Sequence, residues 1–166
     1  MTVTSRRTAR WLALLIFLLA GCASPPRPSG PADTSNGPWT GRLALQVEDK
    51  PGQSFSAGFE LRGNAQAGEL SLFSPLGATL AMLIWKPGAA KLRSGAQERE
   101  FPSLDSLVSH VTGEALPIAA LFDWLRGIDT PAGGWRADLT QLSQGRLAAR
   151  RLEPPPQADL RLALEQ

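Results

Sequence analysis

The chain has 166 residues, 43% hydrophobic and 19% charged, a length and balance that favour one folded domain over extended disorder. Its single Cys excludes an internal disulfide or a cysteine metal cluster. The net charge of +2 rests on Arg6, Arg7 and Arg10; beyond residue 21 there remain 14 basic and 15 acidic residues, so composition gives no support for nucleic-acid binding.

Residues 1–21 read as a secretory signal peptide: three arginines, then an apolar run from Trp11 to Ala20, then small residues. Ten apolar residues rise only about 15 Å as a helix, half a bilayer core, so the run is too short to span a membrane. No apolar pair follows Arg6-Arg7 at the right place for twin-arginine export, which leaves the ordinary Sec route. Leu19-Ala20-Gly21-Cys22 resembles the lipobox of bacterial lipoproteins, and the resemblance implies cleavage before Cys22 and acylation of its thiol and new amine. Ala23 in place of Asp resembles the default outer-membrane address of that class. Pro25, Pro26, Pro28, Pro31 and Pro38 then make residues 22–38 a lipidated flexible tether.

From Trp39 the pattern becomes that of a domain, expected over 39–166. Leu43, Leu45 and Val47 alternate with polar or small residues, as do Phe55, Ala57, Phe59 and Leu61, with Lys50-Pro51-Gly52 turning one strand into the other. Leu70 and Leu72 continue the alternation up to the Ser74-Pro75-Leu76-Gly77 turn. The apolar run Ala78–Trp85 follows, then a hairpin around Ser94-Gly95-Ala96. Two helices come next. Ser103 can cap one carrying Leu104, Leu107, Val108 and Val111 and ending at Gly113; Pro117 opens another carrying Ile118, Leu121, Phe122 and Leu125 and ending at Gly127. Strand patterning returns over Trp135–Leu139, Leu147–Leu152 and Leu160–Leu164. The sum is a mainly β, α+β domain: an antiparallel sheet with helices on one side. Two short helices cover only part of such a sheet, so either it curls and fills itself or an apolar concavity remains.

The order of lipobox, proline-rich tether, Gly41-Arg42-Leu43-Ala44, Leu72-Phe73-Ser74-Pro75-Leu76-Gly77-Ala78, Thr112-Gly113-Glu114-Ala115-Leu116-Pro117 and Trp124-Leu125-Arg126-Gly127 resembles the LolB family over nearly the whole mature chain. That family comprises outer-membrane lipoproteins that receive other acylated lipoproteins from the periplasmic carrier LolA and insert them into the outer membrane. The chain departs from the family in lacking Tyr, in carrying Leu61 where an aromatic is common, and in ending at Gln166 without a terminal Trp segment. The resemblance implies an unclosed antiparallel β-barrel, a half-barrel, with a helical lid over a hydrophobic cavity. It also implies a monomer whose partners are a LolA-like carrier, acylated cargo and outer-membrane lipid. A structural or assembly-factor lipoprotein binding a protein partner is the alternative; a soluble carrier is disfavoured by the lipobox.

A turn tip is normally polar, so Leu76 is out of place there unless it folds back onto the sheet; the resemblance implies that Pro75, Leu76 and Gly77 form a membrane-insertion loop. The matching family Leu protrudes and delivers cargo into the bilayer. Candidates for the acyl-chain pocket are Phe55, Phe59, Leu61, Leu70, Leu80, Met82, Ile84, Leu107, Val111, Ile118, Leu121 and Phe122. Each alone reads first as ordinary core, where periodic Leu, Ile and Phe normally lie, and the lipid pocket comes only from the resemblance. Trp85, Trp124 and Trp135 read as pocket wall or core, and Trp39 as packing at a sheet edge. Arg42, Arg62, Arg150 and Arg151 are loose candidates for carrier docking, but read first as solvated strand faces. Ser109 and His110 are adjacent on a helix and cannot face each other, and Glu98 and Glu100 have no apolar bracket, so no enzyme, metal or cofactor is expected.

Overall fold

The computed structural model describes residues 37–49, 51, 54–112 and 116–165; the signal peptide, Cys22, the tether up to residue 36 and Gly113 lie outside them. Nine strands and two helices form along the chain. They are β1 (Trp39–Val47), β2 (Phe55–Gly63), β3 (Gly68–Phe73), β4 (Thr79–Lys86), β5 (Ala89–Ser94), β6 (Gln97–Phe101), α1 (Leu104–Thr112), α2 (Ile118–Leu125), β7 (Trp135–Asp138), β8 (Arg146–Arg151) and β9 (Ala158–Leu164). The strands make one antiparallel sheet in the order β6-β5-β4-β3-β2-β1-β9-β8-β7. β6 and β7 are the two edge strands and do not pair with each other, so the sheet stays open, which is the half-barrel expected. The chain pairs its last strand beside its first, with Leu43 opposite Leu162 and Leu45 opposite Leu160.

Cross-strand partners share a face, and this register defines the inside of the curl. Leu43, Leu45 and Val47 on β1, Ala57, Phe59 and Leu61 on β2, Leu70 and Leu72 on β3 and Leu160 and Leu162 on β9 all point inward and are buried. Both helices lie on this face. Six of the eight side chains of α2 are buried, among them Phe122 and Trp124 with no exposed surface. Trp39 and Trp85 close on Phe122 with ring centroids 5.7 and 6.1 Å away. Trp39, half-buried at the start of β1 and outside the stretch that β9 pairs, thus packs from the margin of the sheet onto the core. The indole N–H groups of Trp85 and Trp124 donate to the carbonyls of Asn64 and Thr130, both at 2.9 Å.

Helix α1 is held more lightly. Ser103 Oγ accepts the Ser106 amide at 3.1 Å, the expected N-cap bond. Only Leu107, Val108 and Thr112 of its nine residues are buried, and the helix touches mainly β5 and β6. At the end of α2, Gly127 takes φ +81° and donates to the Trp124 carbonyl at 2.9 Å, a left-handed stop. No helix among the described residues is long and apolar enough to cross a membrane.

Candidate functional site

The turn between β3 and β4 is built to stand clear of the sheet. Ser74 exchanges backbone hydrogen bonds with Ala78 and Gly77, its N–H donating to Ala78 O at 2.8 Å and its carbonyl accepting from Gly77 N at 2.9 Å. Its hydroxyl takes the Ala78 amide at 3.1 Å. Pro75 presets φ at the first corner and Gly77 supplies the left-handed residue, φ +81°, that closes a type I turn into a hairpin. A side chain added at Gly77 would meet nothing within 4 Å, so the tip projects into open space. Leu76 on this pedestal is 97% exposed.

Beneath α1 lies a wholly apolar gap of about 30 Å³. Leu43, Leu45, Leu72, Leu83 and Leu160 form its floor with Phe55 and Leu70, while Val108, Val111, Thr112, Leu116 and Ile118 form its roof. Of the predicted lining residues, the structure brings Phe55, Leu70, Val111 and Ile118 to this gap. Phe59, Leu61, Leu107, Leu121 and Phe122 lie deeper, packed in the core with 4% exposure or less. The interior in this conformation is therefore mostly filled, not hollow. An acyl chain of some fifteen methylenes is many times larger than a space of about one water.

Leu80, Met82 and Ile84 correct the sequence reading. Strand β4 pairs Leu83 with Leu70, Ala81 with Leu72 and Trp85 with Gly68, so 81, 83 and 85 face inward. The other three residues point to the outer face, where Leu80 is 46% exposed. Met82 and Ile84, half-buried, stand there opposite Arg93 and Lys91 of β5. Sequence reasoning missed Leu43, Leu45, Val108 and Leu160 as gap walls, although their alternation and helical spacing already placed them on the core face.

The basic candidates divide. Arg151 is buried, its guanidinium donating to Pro156 O at 2.8 Å and lying 5.8 Å from the Trp135 ring centroid, so it is no docking residue. Arg62 pairs with Glu60, and Arg150 with Asp159 at 2.9 Å. Arg42 stays exposed on the outer face. On the edge hairpin, Lys91 and Arg93 bond to Glu98, which holds the Glu98 carboxyl below its ordinary pKa and, with Glu100, raises the Lys91 ammonium. A wider open crevice of about 660 Å³ beside this hairpin is rimmed by Lys86, Lys91 and Glu100. His110 is exposed, with Nε2 3.0 Å from Arg99 Nη1. No group of three potential metal ligands occurs among the described residues.

Residues 38–153 match the model of the family described as outer membrane lipoprotein LolB. The chain is 34% identical to the outer-membrane lipoprotein LolB of Bordetella petrii over 191 aligned positions, covering 98% of this chain and 95% of that protein. It is 37% identical to the Cupriavidus pinatubonensis protein of the same name, over 84% of this chain and 71% of the relative. With the Bordetella parapertussis protein identity is 36% over 74% of this chain, which spans 65% of that relative's length. An open nine-stranded half-barrel under two helices, a presented Leu76 and these matches give one conclusion: the chain belongs to the LolB family of outer-membrane lipoproteins.

Proposed function

We propose that this protein accepts acylated lipoproteins from a soluble periplasmic carrier of the LolA type and releases them into the outer membrane. In this reading it acts as a monomer, held by acyl chains on Cys22 and raised on the tether of residues 22–38. Three acyl chains of about forty methylenes together would cost roughly 30 kcal/mol if exposed to water. Cargo must therefore pass from one apolar host to the next without entering solvent. The apolar gap under α1 is the place where chains enter, by displacement of that helix from Leu43, Leu70 and Leu160. No bond is made or broken, and transfer runs downhill in affinity from carrier to receptor to bilayer, so the role is not enzymatic.

The observation that carries this reading is Leu76, an apolar side chain 97% exposed on a hydrogen-bonded turn with open space around the neighbouring Gly77. Burying one Leu is worth only about 1.5–3 kcal/mol, too little for an anchor beside the acyl chains. Its use is to breach the lipid interface at the moment of release. Leu76→Glu should leave cargo acceptance intact and stop insertion, read by following a labelled lipoprotein from carrier to receptor to vesicle. Insertion at the wild-type rate in that variant would overturn the role. A receptor that never takes label from the carrier would favour the assembly-factor alternative.

A further inference from the structure

The outer face of the sheet carries a second feature. Register places Phe73 (β3), Gly58 (β2), Arg42 (β1), Ala163 (β9) and Arg146 (β8) in one row across five strands. At the next outward position of β9 stands Arg161, between Ala44 and Ala148. Three arginines thus rise around three alanines, and the small side chains leave a groove of about 380 Å³ between them. None of the three is held by an ion pair among the described residues, unlike Arg62, Arg126 and Arg150 on the same molecule. One carboxylate, Asp138, also lines the groove. Its Oδ1 accepts both the Thr140 hydroxyl at 2.6 Å and the Thr140 amide at 3.0 Å, bonds that fix its place and keep it ionised, so the groove sets three guanidinium groups against one carboxylate.

A second groove of about 300 Å³ adjoins it, sharing Arg42 and Ser56; Glu60, which pairs with Arg62, and Glu165 line it, and it reaches Ser74, Pro75 and Gly77, the base of the Leu76 turn. Strands lie about 4.8 Å apart, so Arg42 stands two strands, roughly 10 Å, from Phe73. Along this path the chemistry changes from an exposed Leu, through half-buried Phe73 and the carboxylates of Glu60 and Glu165, to three guanidinium groups outside any ion pair among the described residues. That is the order met on going from bilayer core to headgroup. We propose that Arg42, Arg146 and Arg161 bind the phosphate of an anionic phospholipid when the Leu76 turn meets the membrane. Guanidinium forks suit phosphate oxygens, and the surface field of an anionic leaflet favours their approach. The groove shares Arg42 and Ser56 with the one that reaches the membrane-directed turn, which favours lipid over an acidic protein face. Its orientation toward the bilayer rests on the Leu76 reading; the phosphate site itself does not.

The test uses the full-length acylated protein in phosphatidylethanolamine vesicles with and without phosphatidylglycerol. Modification of individual arginines by phenylglyoxal is followed by mass spectrometry. Phosphatidylglycerol should slow modification of Arg42, Arg146 and Arg161 by about tenfold and leave exposed Arg136 unchanged, with protection lost at high salt. Equal protection by inorganic phosphate in neutral vesicles would reduce the site to a free-anion site and overturn the lipid assignment. Protection appearing only when a purified carrier is added would assign the groove to protein. No protection in any arm, with Leu76→Glu still blocking insertion, would remove this site and leave the Leu76 role standing. Protection that persists when Leu76→Glu inserts normally would support the groove and remove the role of the turn.

Discussion

Leu76 and Arg151 reverse the usual relation between residue type and exposure, the first an exposed hydrophobe and the second a cation with 3% of its surface accessible. The first was legible in the sequence because proline and glycine flank it in an explicit turn, where an apolar residue has no core to fill. Arg151 was legible too, through the phase of β8: Leu147, Ala149 and Arg151 share the inward side, while Arg146, Ala148 and Arg150 are exposed. Counting charge hid what the period showed. The two differ in what they do for stability. Replacing Leu76 removes no contact, so Leu76→Glu should stay within about 0.5 kcal/mol of wild type. Arg151→Met keeps the aliphatic stem and removes the donors to Pro156 O, leaving a part-buried carbonyl without that charged partner. A loss of about 2 kcal/mol is expected, seen as a lower urea midpoint at unchanged m-value. An unshifted midpoint would mean that water replaces the guanidinium at no cost.

At the scale of elements, alternation served the sequence reading wherever one face is polar. It assigned β1, β2 and β9 to the correct phase. It failed on β4, because Thr79–Trp85 is apolar on both sides and offers no phase to read. A register shift between Leu72 and Phe73 adds to the difficulty, since phase cannot be carried over from β3. The two helices were both visible as apolar stripes, yet their unequal burial was not, because burial depends on what the curled sheet presents to them. That inequality has a dynamic consequence. Local opening draws on the regions with the fewest buried contacts, so α1 should open far more readily than α2. Amides of Leu107 to Val111 should exchange with deuterium at least about tenfold faster than those of Leu121 to Trp124, measured by mass spectrometry or NMR on the unliganded protein. Equal protection of both helices would argue that cargo does not enter by lifting α1.

For the whole molecule, order and topology explain why the interior closes. The strand order returns β9 to β1, which puts Leu160 and Leu162 opposite Leu43 and Leu45 and leaves the helices a continuous apolar floor. Composition could show that such a floor needs cover, but not whether the cover fits, which depends on side-chain packing at the level of single methylenes. The fit leaves about 30 Å³ under α1. Under the proposed function a closed state this compact must exchange with an open, cargo-accepting one, and every increment that stabilises the closed state lowers the open population. Val108→Ile adds one methylene toward the gap and keeps the β-branched shape. Its burial should stabilise the protein by up to about 0.8 kcal/mol and, through the same energy, reduce carrier-to-receptor transfer about fourfold. Val108→Ala should do the opposite, lowering the urea midpoint and speeding acceptance until the lid no longer packs. Stability and transfer rate must therefore move in opposite directions across the pair. If they move together, or if transfer ignores both substitutions, acyl chains enter elsewhere and the gap under α1 is only an imperfection in the core.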